Sequence, residues 1–145
     1  MKTALVIGAS RGIGRAIAER LAHDGFDIVG TCRSNPERFQ ELEQKITELG
    51  RSFHALAFDI ADRKAAEEAL LGYFGDGAPD VLVYNAGIND DDLFAMMTPE
   101  QWDRVLHTNA DGFFNCIHPL IMNMMGRRGG RIIAISSISG QTGQP

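Results

Sequence analysis

The sequence predicts an α/β fold in which a doubly wound parallel sheet is covered on both faces by helices. Five short apolar segments suited to strands alternate along the 145 residues with segments whose apolar positions recur at helical spacing. The chain contains no internal repeats and no low-complexity segments. Strands that alternate with helices are typical of a parallel sheet, and the length suits a single domain, residues 1–145.

The first half of the chain contains three strands and two helices. Strands are predicted at residues 4–7, 26–32 and 52–58, and helices at residues 15–21 and 36–49. The second strand is apolar enough to be buried on both faces. His23-Asp24-Gly25 is a stop signal for the first helix, and Asn35-Pro36 is a start signal for the second, which Gly50 ends.

The second half contains two further strands, predicted at residues 81–84 and 131–135. Asp62 is predicted to cap the helix before the fourth strand, and Thr98 with Gln101 forms a capping box at the next helix. A later helical stripe runs from Phe113 to Met124, with a kink expected at Pro119, after a helix break at Asp111-Gly112. Residues 136–145 are predicted to be a loop.

A ligand site is predicted at the carboxyl ends of these strands. In a doubly wound sheet the ligand lies at the switch point, here over the ends of the first and fourth strands. Four polar or glycine-rich segments follow strands and meet at this edge: residues 8–14, Asp59, residues 85–87 and Ser136-Ser137. The whole arrangement is that of a Rossmann-type sheet.

The glycine loop at residues 8–14 has the spacing G-x-x-x-G-x-G between a strand and a helix, as in loops that hold a dinucleotide's pyrophosphate. Gly8 allows a sharp turn off the strand, and Gly12 leaves room for the pyrophosphate. Gly14 lets the helix pack closely on the first strand. The helix N-terminus offers N–H groups and a partial positive charge to phosphates.

Composition excludes several other classes of function. A formal net charge of −5 argues against non-specific binding of nucleic acid. Cys32 and Cys116 fit no metal or redox spacing, which indicates a reducing, cytoplasmic setting. The four histidines show no ligand spacing, so no metal site is predicted. The N-terminal residues are not expected to be a signal peptide, and no apolar run in the sequence is long enough to span a membrane.

Five motifs in this order resemble the short-chain dehydrogenase/reductases, and most closely the bacterial 3-oxoacyl-[acyl-carrier-protein] reductases among them. The motifs are Gly8-Ala9-Ser10-Arg11-Gly12-Ile13-Gly14, Asp59-Ile60, Asn85-Ala86-Gly87-Ile88, Thr108-Asn109 and Ile135-Ser136-Ser137-Ile138-Ser139-Gly140. The resemblance runs through the whole chain. It implies an oxidoreductase with a nicotinamide cofactor.

The resemblance also implies roles for individual residues. Those that bind the cofactor are Ser10, Arg11 and Ile13 in the phosphate loop, Asp59 at the adenine amino group, Ile60 beside the ring, and Asn85, Ala86 and Gly87 under the adenosine ribose. The catalytic residues are Asn109, which holds a water of a proton relay at a kink between two helices, and Ser137, which binds the substrate carbonyl oxygen.

Each of these residues also has an ordinary structural interpretation. Asp59 can cap the turn after its strand, and Asn85 can brace neighbouring strands. Asn109 can be a surface residue, and Ser137 a loop hydroxyl like Ser136. The sequence leaves both interpretations open.

The end of the second strand favours NADP(H) over NAD(H). Enzymes that use NAD usually place an acidic residue there, on the ribose 2′-hydroxyl. Residues 30–34 contain none, and Asp27 lies at the wrong end of the strand. Arg33 and Arg11 can instead neutralise a 2′-phosphate, although a solvated Arg33 is the alternative.

The sequence departs from the family pattern at its catalytic acid. The family's tyrosine follows the serine by about a dozen residues, with a lysine four positions later, and neither occurs before Pro145. We therefore expect the chain to be the N-terminal part of a longer reductase domain, truncated after the fifth strand. That strand would then be an open apolar edge.

The sequence leads to one function and two alternatives. The function is NADPH-dependent reduction of a 3-oxoacyl thioester on acyl carrier protein, as in fatty-acid or polyketide synthesis, by the complete protein. The alternatives are a catalytically inactive NADP(H)-binding module and an alcohol dehydrogenase of the same family. Arg127 and Arg128 resemble the basic cluster that docks the carrier, or are a solvated helix end. The loop at residues 88–97 would border the acyl pocket, and relatives imply a homo-oligomer, a tetramer or a dimer.

Overall fold

The computed structural model describes residues 2–143. The strands are β1 Lys2–Ile7, β2 Phe26–Cys32, β3 Phe53–Ala57, β4 Val81–Tyr84 and β5 Arg131–Ala134. They form one parallel sheet in the order β3-β2-β1-β4-β5. Since β1 pairs with both β2 and β4, the chain reverses its winding direction at β1. The predicted doubly wound α/β fold is confirmed.

The helices lie between the strands and after the last one. They are α1 Gly12–His23, α2 Gln40–Glu48, α3 Arg63–Phe74, α4 Pro99–Leu106, α5 Gly112–Gly126 and α6 Ser139–Thr142. A 3-10 helix, Pro36–Phe39, precedes α2, and a π-helical segment, His107–Asp111, joins α4 to α5.

The hydrophobic core has two layers, one on each face of the sheet. Leu5 and Ile7 of β1 pack in the layer that contains Leu70 of α3 and Leu120 of α5. The alternate residues of β1 pack in the other layer, with residues of α1 and α2. Because successive side chains of a strand point to opposite faces, β1 is buried on both sides, as expected for a parallel sheet between helices.

The predicted helix caps form where the sequence places them. Asp62 Oδ1 accepts a hydrogen bond of 3.1 Å from the backbone N–H of Ala65. The capping box of Thr98 and Gln101 is complete, with both reciprocal bonds present. Gly25 and Gly50 have φ angles of +97° and +70° just beyond the ends of α1 and α2. These signals are local, which is why the sequence identifies them.

Three details differ from the sequence-based expectation. Asn35 makes no side-chain cap, and the chain after it forms a 3-10 helix before α2. The break expected at Asp111-Gly112 is wrong, because the π-helical segment continues into α5. Pro119 lies inside α5, which packs against α3, and the kink expected at Pro119 stays a prediction. The predicted terminal loop contains α6, and residues 144–145 lie outside the described residues.

Gly112 has a structural reason other than helix breaking. A Cβ at this position would lie 2.8 Å from the hydroxyl oxygen of Tyr84 and 3.0 Å from the side chain of Ile60. The start of α5 therefore approaches the end of β4 closely, and only glycine permits that approach.

Candidate functional site

Three adjoining cavities lie along the carboxyl edge of the sheet and share the residues that follow β4. A cavity of about 320 Å³ lies beyond β2 and β3, one of about 460 Å³ lies at the glycine loop, and one of about 610 Å³ lies between β4 and β5. Ala86 and Gly87 line all three. The predicted convergence of the four segments on one edge is therefore observed.

The glycine loop is packed tightly at two of its glycines. Gly8 has a φ of +81°, and a Cβ there would lie 2.9 Å from the Cα of Ala86. A Cβ on Gly14 would lie 2.1 Å from the carbonyl oxygen of Gly8 and 2.6 Å from Nδ2 of Asn85. Real Cβ atoms do not approach other atoms this closely, so both positions require glycine.

The middle of the loop is open instead. Gly12 has a φ of +57° and open space where a Cβ would point. It lines the 460 Å³ cavity together with Ser10, Arg11 and Ile13, and the last two are exposed. The helix α1 begins here with no acidic residue in its first turn, so its N–H groups and positive dipole end face the cavity without a competing carboxylate. This geometry fits the pyrophosphate of a dinucleotide.

Thr31 is a loop-supporting residue that the sequence argument missed. Its hydroxyl accepts a 3.1 Å bond from the N–H of Gly8, and its carbonyl accepts a 3.0 Å bond from Ala9. The side chain is buried, with 2% exposure. A threonine in an otherwise apolar buried strand is the signal that would have found it, since a buried hydroxyl needs a partner.

Asn85 braces the first and fourth strand ends. Its N–H donates to the carbonyl of Ile7 over 3.1 Å, and its Nδ2 donates to the carbonyl of Gly8 over 3.2 Å. The structural interpretation of Asn85 is therefore correct. A place in the floor under a ribose stays a prediction and is compatible with this bracing.

Asn109 lies in the π-helical segment and pins the loop after β4. Its Oδ1 accepts a 2.8 Å bond from the N–H of Ile88, and its Nδ2 donates to the carbonyl of the same residue over 2.9 Å. Asn109 is therefore not an isolated surface residue. Its role in holding a water stays a prediction.

Tyr84 supports the π-helical segment through hydrogen bonds from its hydroxyl to the backbone. Its hydroxyl is 3.1 Å from the carbonyl oxygen of Thr108 and 3.2 Å from that of Asn109, and it donates to them. Burial raises the pKa of the Tyr84 phenol, and the neighbouring Cys116 raises it further. The phenol is therefore a hydrogen-bond donor that stays protonated.

Arg33 and Asp59 meet at the mouth of the 320 Å³ cavity. Arg33 Nε lies 2.9 Å from Asp59 Oδ2 in an ion pair. The other carboxylate oxygen of Asp59 accepts a 3.0 Å bond from the N–H of Ala61, so Asp59 also caps its turn. Ile60 is nearly buried beside them and lines the same cavity. The sequence predicted both charged residues at this edge but not their contact.

A second ion pair borders the same cavity. Arg104 pairs with Asp90, whose other carboxylate oxygen accepts a 3.3 Å bond from Nε2 of Gln101. Arg104 and His107 line the cavity opposite Arg33. Asp90 lies in the loop at residues 88–97, so this pair attaches the loop to α4.

The rest of that loop is exposed and apolar. Phe94 is 84% exposed, and Leu93 and Met96 are also exposed. A groove of about 270 Å³ runs between Phe94 and Trp102 of α4. The role of this loop beside an acyl chain stays a prediction.

Ser137 and Ser136 line the 610 Å³ cavity, beyond the end of β5. The hydroxyl of Ser137 is 3.3 Å from that of Ser139 and accepts a 3.2 Å bond from the N–H of Ser139. Ser137 is exposed. The carboxyl edge thus brings Ser137 into the cavity that Asn109 also lines.

Arg127 and Arg128 directly follow α5 and lie at the amino edge of the sheet, where β5 begins. Arg127 donates to the carbonyl of Ala78 and to Asp80 Oδ1, the latter over 3.1 Å, and so fixes the end of α5 to the start of β4. Arg128 is exposed and has a φ of +53°. Of the two, Arg128 is the residue without such a structural contact among residues 2–143.

Across the described part of the chain, no helix is long and apolar enough to cross a membrane. In the same residues, no group of three or more His, Cys, Asp or Glu side chains could hold a metal ion.

Comparison with known proteins finds dehydrogenases and reductases. A family model described as short chain dehydrogenase matches residues 2–145. A 3-oxoacyl-[acyl-carrier-protein] reductase FabG from Aggregatibacter actinomycetemcomitans is 47% identical over 144 residues, which cover 98% of this chain and 60% of that protein. An acetoacetyl-CoA reductase from Rhizobium meliloti (strain 1021) is 41% identical over 144 residues, with 99% and 58% covered.

A solved structure agrees with them. The crystal structure of a protein described as a short-chain alcohol dehydrogenase from Sinorhizobium meliloti 1021 matches with a TM-score of 0.89 and 34% identity. The match covers 99% of this chain and 57% of that one. The chain thus spans about 60% of the length of the relatives that it matches.

Proposed function

The chain belongs to the short-chain dehydrogenase family, and from that premise we propose that it binds NADP(H) as part of an oxidoreductase. The reaction proposed for the whole protein is the reduction of a 3-oxoacyl thioester, carried on acyl carrier protein, to the 3-hydroxyacyl form. Relatives described as 3-oxoacyl-[acyl-carrier-protein] reductase support this substrate class.

The observation that carries the proposal is the row of three cavities that share Ala86 and Gly87. The 320 Å³ cavity suits an adenosine, between Ile60 and the Arg33–Asp59 pair. The open loop at Gly12 suits a pyrophosphate, through the N–H groups that begin α1. The 610 Å³ cavity leaves room for a nicotinamide beside Ser137. When bound, the nicotinamide supplies the hydride that reduces a carbonyl carbon.

The choice of NADP(H) rests on charge at the end of β2. No acidic residue lies at residues 30–34, and Asp27 is occupied at the opposite end of the strand, where its Oδ1 accepts a 2.8 Å bond from the N–H of Ser52. Arg33 has 80% of its side chain exposed at the cavity mouth. A guanidinium there would attract a 2′-phosphate and offer it two parallel hydrogen bonds.

On the substrate side, the proposed role of Ser137 is to donate its hydroxyl proton in a hydrogen bond to the substrate carbonyl oxygen. Negative charge develops on that oxygen as the hydride arrives, so the bond strengthens in the transition state. Asn109 is proposed to hold a water of the proton relay. It also binds the backbone of Ile88, a residue that lines both the 320 Å³ and the 610 Å³ cavities. The resemblance assigns the proton donation itself to a tyrosine and a lysine that are not among these 145 residues.

Two interactions with other proteins complete the proposal. Arg128, exposed beside the structurally occupied Arg127, is proposed to contact the acidic carrier protein. The whole protein is proposed to be a homo-oligomer. The relative described as an acetoacetyl-CoA reductase favours coenzyme A thioesters as the second candidate substrate class.

Nucleotide binding can be tested on the 145-residue chain. Titration calorimetry with NADPH and with NADH is expected to give a Kd for NADPH at least about tenfold lower, since an Arg–phosphate contact is charge-assisted. Arg33→Ala should remove most of that difference and leave NADH binding nearly unchanged. A lower Kd for NADH than for NADPH in the unaltered chain would contradict the cofactor assignment.

The reaction is tested on the complete protein. NADPH oxidation is followed with the same 3-oxoacyl group on carrier protein and on coenzyme A, and a higher kcat/KM is expected for the carrier-bound form. Ser137→Ala should lower kcat about a hundredfold, as removal of one oxyanion donor does elsewhere. Arg128→Glu should raise KM for the carrier-bound form alone. Tight NADPH binding without any turnover would support an inactive binding module instead.

A further inference from the structure

The Arg33–Asp59 ion pair joins two residues to which the proposed function gives separate tasks. Arg33 would meet the 2′-phosphate, and Asp59 would meet the adenine. In the structure Arg33 Nε lies 2.9 Å from Asp59 Oδ2, at the rim of the cavity that both line. Among residues 2–143 this is the one ion pair of Arg33.

The contact follows from the register of the sheet. Cys32 of β2 pairs with Ala57 of β3, and the N–H of Phe58 donates to the carbonyl of Cys32 over 3.0 Å. Arg33 and Asp59 each come one residue after this last bond. Parallel strands in register therefore bring the two side chains out at the same place.

The two partners are held very differently. Asp59 is two-thirds buried and fixed, because its Oδ1 accepts the bond from the N–H of Ala61 and its carbonyl accepts a 3.0 Å bond from Asp62. Arg33 has 80% of its side chain exposed. An exposed arginine loses much side-chain freedom when it must hold one geometry. The fixed carboxylate therefore restrains the mobile guanidinium.

The geometry also leaves Arg33 able to act. The closest approach of the ion pair is at Nε, and Asp59 is the one carboxylate that pairs with Arg33 among the described residues. A guanidinium has five N–H donors in a rigid fork, so one carboxylate at Nε and one phosphate at the Nη groups can be bound at the same time.

We infer that Asp59 is a positioning residue for cofactor selectivity: it holds Arg33 at the mouth of the adenosine cavity, where the guanidinium meets a 2′-phosphate. The inference rests on the proposed binding of NADP(H). It differs from a contact between Asp59 and adenine in one measurable way. Adenine is common to NADPH and NADH, so loss of an adenine contact weakens both equally. Loss of Arg33 positioning weakens only NADPH.

Electrostatic repulsion makes the opposite prediction. A carboxylate near the 2′-phosphate repels it, so removal of the Asp59 charge would strengthen NADPH binding if Asp59 did nothing for Arg33. The ratio of Kd for NADH to Kd for NADPH therefore separates the three roles: it falls for positioning, stays constant for adenine contact and rises for repulsion.

The experiment is a double-mutant cycle on the complete protein, with Kd for NADPH and for NADH measured by titration calorimetry. Asp59→Asn keeps the acceptor for the N–H of Ala61 and replaces only the charged oxygen that faces Arg33. We expect the NADH/NADPH ratio to fall about threefold in Asp59→Asn, the scale of an exposed ion pair. In the Arg33→Ala background, the same substitution should change both Kd values by one common factor.

A matched control is Asp24→Asn. Asp24 Oδ2 lies 3.1 Å from Arg20 Nε, the same pair of atoms in an exposed ion pair, but it lines none of the three cavities. This variant should leave both Kd values unchanged. Asp59→Ser, which keeps a short acceptor for the turn, should lower the ratio as Asp59→Asn does and serves if the asparagine variant fails to fold.

A ratio that is constant or higher in the Asp59 variants, while Arg33→Ala lowers it, would overturn this inference and leave the proposed NADP(H) site intact. A ratio unaffected by Arg33→Ala would overturn this inference together with the proposed contact between Arg33 and the 2′-phosphate. A fall of the same size in the presence and absence of Arg33 would show that Asp59 acts without it and would also overturn the inference.

Discussion

The two sides of the cavity row are built in contrasting ways. On the glycine-loop side, β1 and β2 are mostly buried, and Thr31 and Asn85 bind the loop backbone through its N–H and carbonyl groups. On the other side, within these 145 residues, which span about 60% of the relatives' length, every residue of β5 is exposed, and Ser137 is exposed as well. The first side is fixed by packing from several directions, whereas the second is held mainly by its pairing with β4.

This contrast has a thermodynamic consequence. Substitutions on the packed side have no space to relax into and should destabilise the fold strongly. Substitutions on the β5 side remove few contacts and should change association with other molecules more than stability. The site between them, around Tyr84 and Asn109, should respond in an intermediate way.

The largest effect is expected for Gly14→Ala. The added Cβ would lie 2.1 Å from the carbonyl oxygen of Gly8 and 2.6 Å from Nδ2 of Asn85, so the loop or α1 must move. We expect the free energy of unfolding to fall by about 3 kcal/mol or more in urea denaturation, since overpacking against backbone is severe.

Gly72→Ala is the control for this substitution. Gly72 lies inside α3 with open space around the new Cβ, so helix propensity should make that variant more stable by roughly 0.5–1 kcal/mol. Equal stability of Gly14→Ala and the unaltered chain would contradict the tight packing of the loop.

A moderate effect is expected for Tyr84→Phe. This substitution removes a hydroxyl that donates to the carbonyls of Thr108 and Asn109. Tyr84 itself is only 5% exposed. Loss of this donor to two partly buried carbonyls should lower the free energy of unfolding by about 1–2 kcal/mol. Hydrogen exchange at Ile88 should accelerate as well, because Asn109 holds that N–H.

The same variant gives a pH dependence of known sign. Burial raises the pKa of Tyr84 in the folded chain above its unfolded value of about 10. Above pH 10 the unfolded phenol loses its proton while the folded one keeps it, so stability falls as pH rises, by up to about 1.4 kcal/mol per pH unit. Tyr84→Phe lacks this loss. The stability difference between the two proteins should therefore shrink from pH 9 to pH 11, and a constant difference would show that Tyr84 titrates normally.

What the sequence could predict depends on how far apart in the chain the residues that determine each feature lie. Elements with local signals were placed correctly: β4 at residues 81–84, and the start of α4 from the Thr98 and Gln101 pair. The glycine loop was found because its spacing is local too. These features depend on residues close together in the chain, and so does the alternation that identifies the fold class.

The features that were missed depend on contacts between distant residues. The π-helical segment in place of a break depends on Tyr84, 24 residues before Thr108. The Arg33–Asp59 pair depends on the register of β2 against β3. No periodicity or motif specifies either contact, because each requires the folded sheet.

The smallest effect on stability, and the sharpest test of the contrast, is expected at β5. Ile133 is 46% exposed on a strand that pairs only with β4 in the described residues. Ile133→Lys should change the free energy of unfolding by less than about 0.5 kcal/mol. In the 145-residue chain it should nevertheless reduce concentration-dependent association in light scattering, since a charge on an exposed apolar edge blocks pairing with another strand.

The other edge of the sheet provides the control for Ile133→Lys. On β3, the ring of His54 contacts that of Tyr73 at a tilt of 32°, with 4.5 Å between the ring centroids, and Phe53 and Leu56 are half-buried. This edge is partly covered, so His54→Lys should leave association unchanged. If the two substitutions reduce association equally, the edges are equivalent, and the exposure of β5 has no particular consequence. If only Ile133→Lys acts, the apolar β5 edge contributes to the association of the 145-residue chain and the β3 edge does not.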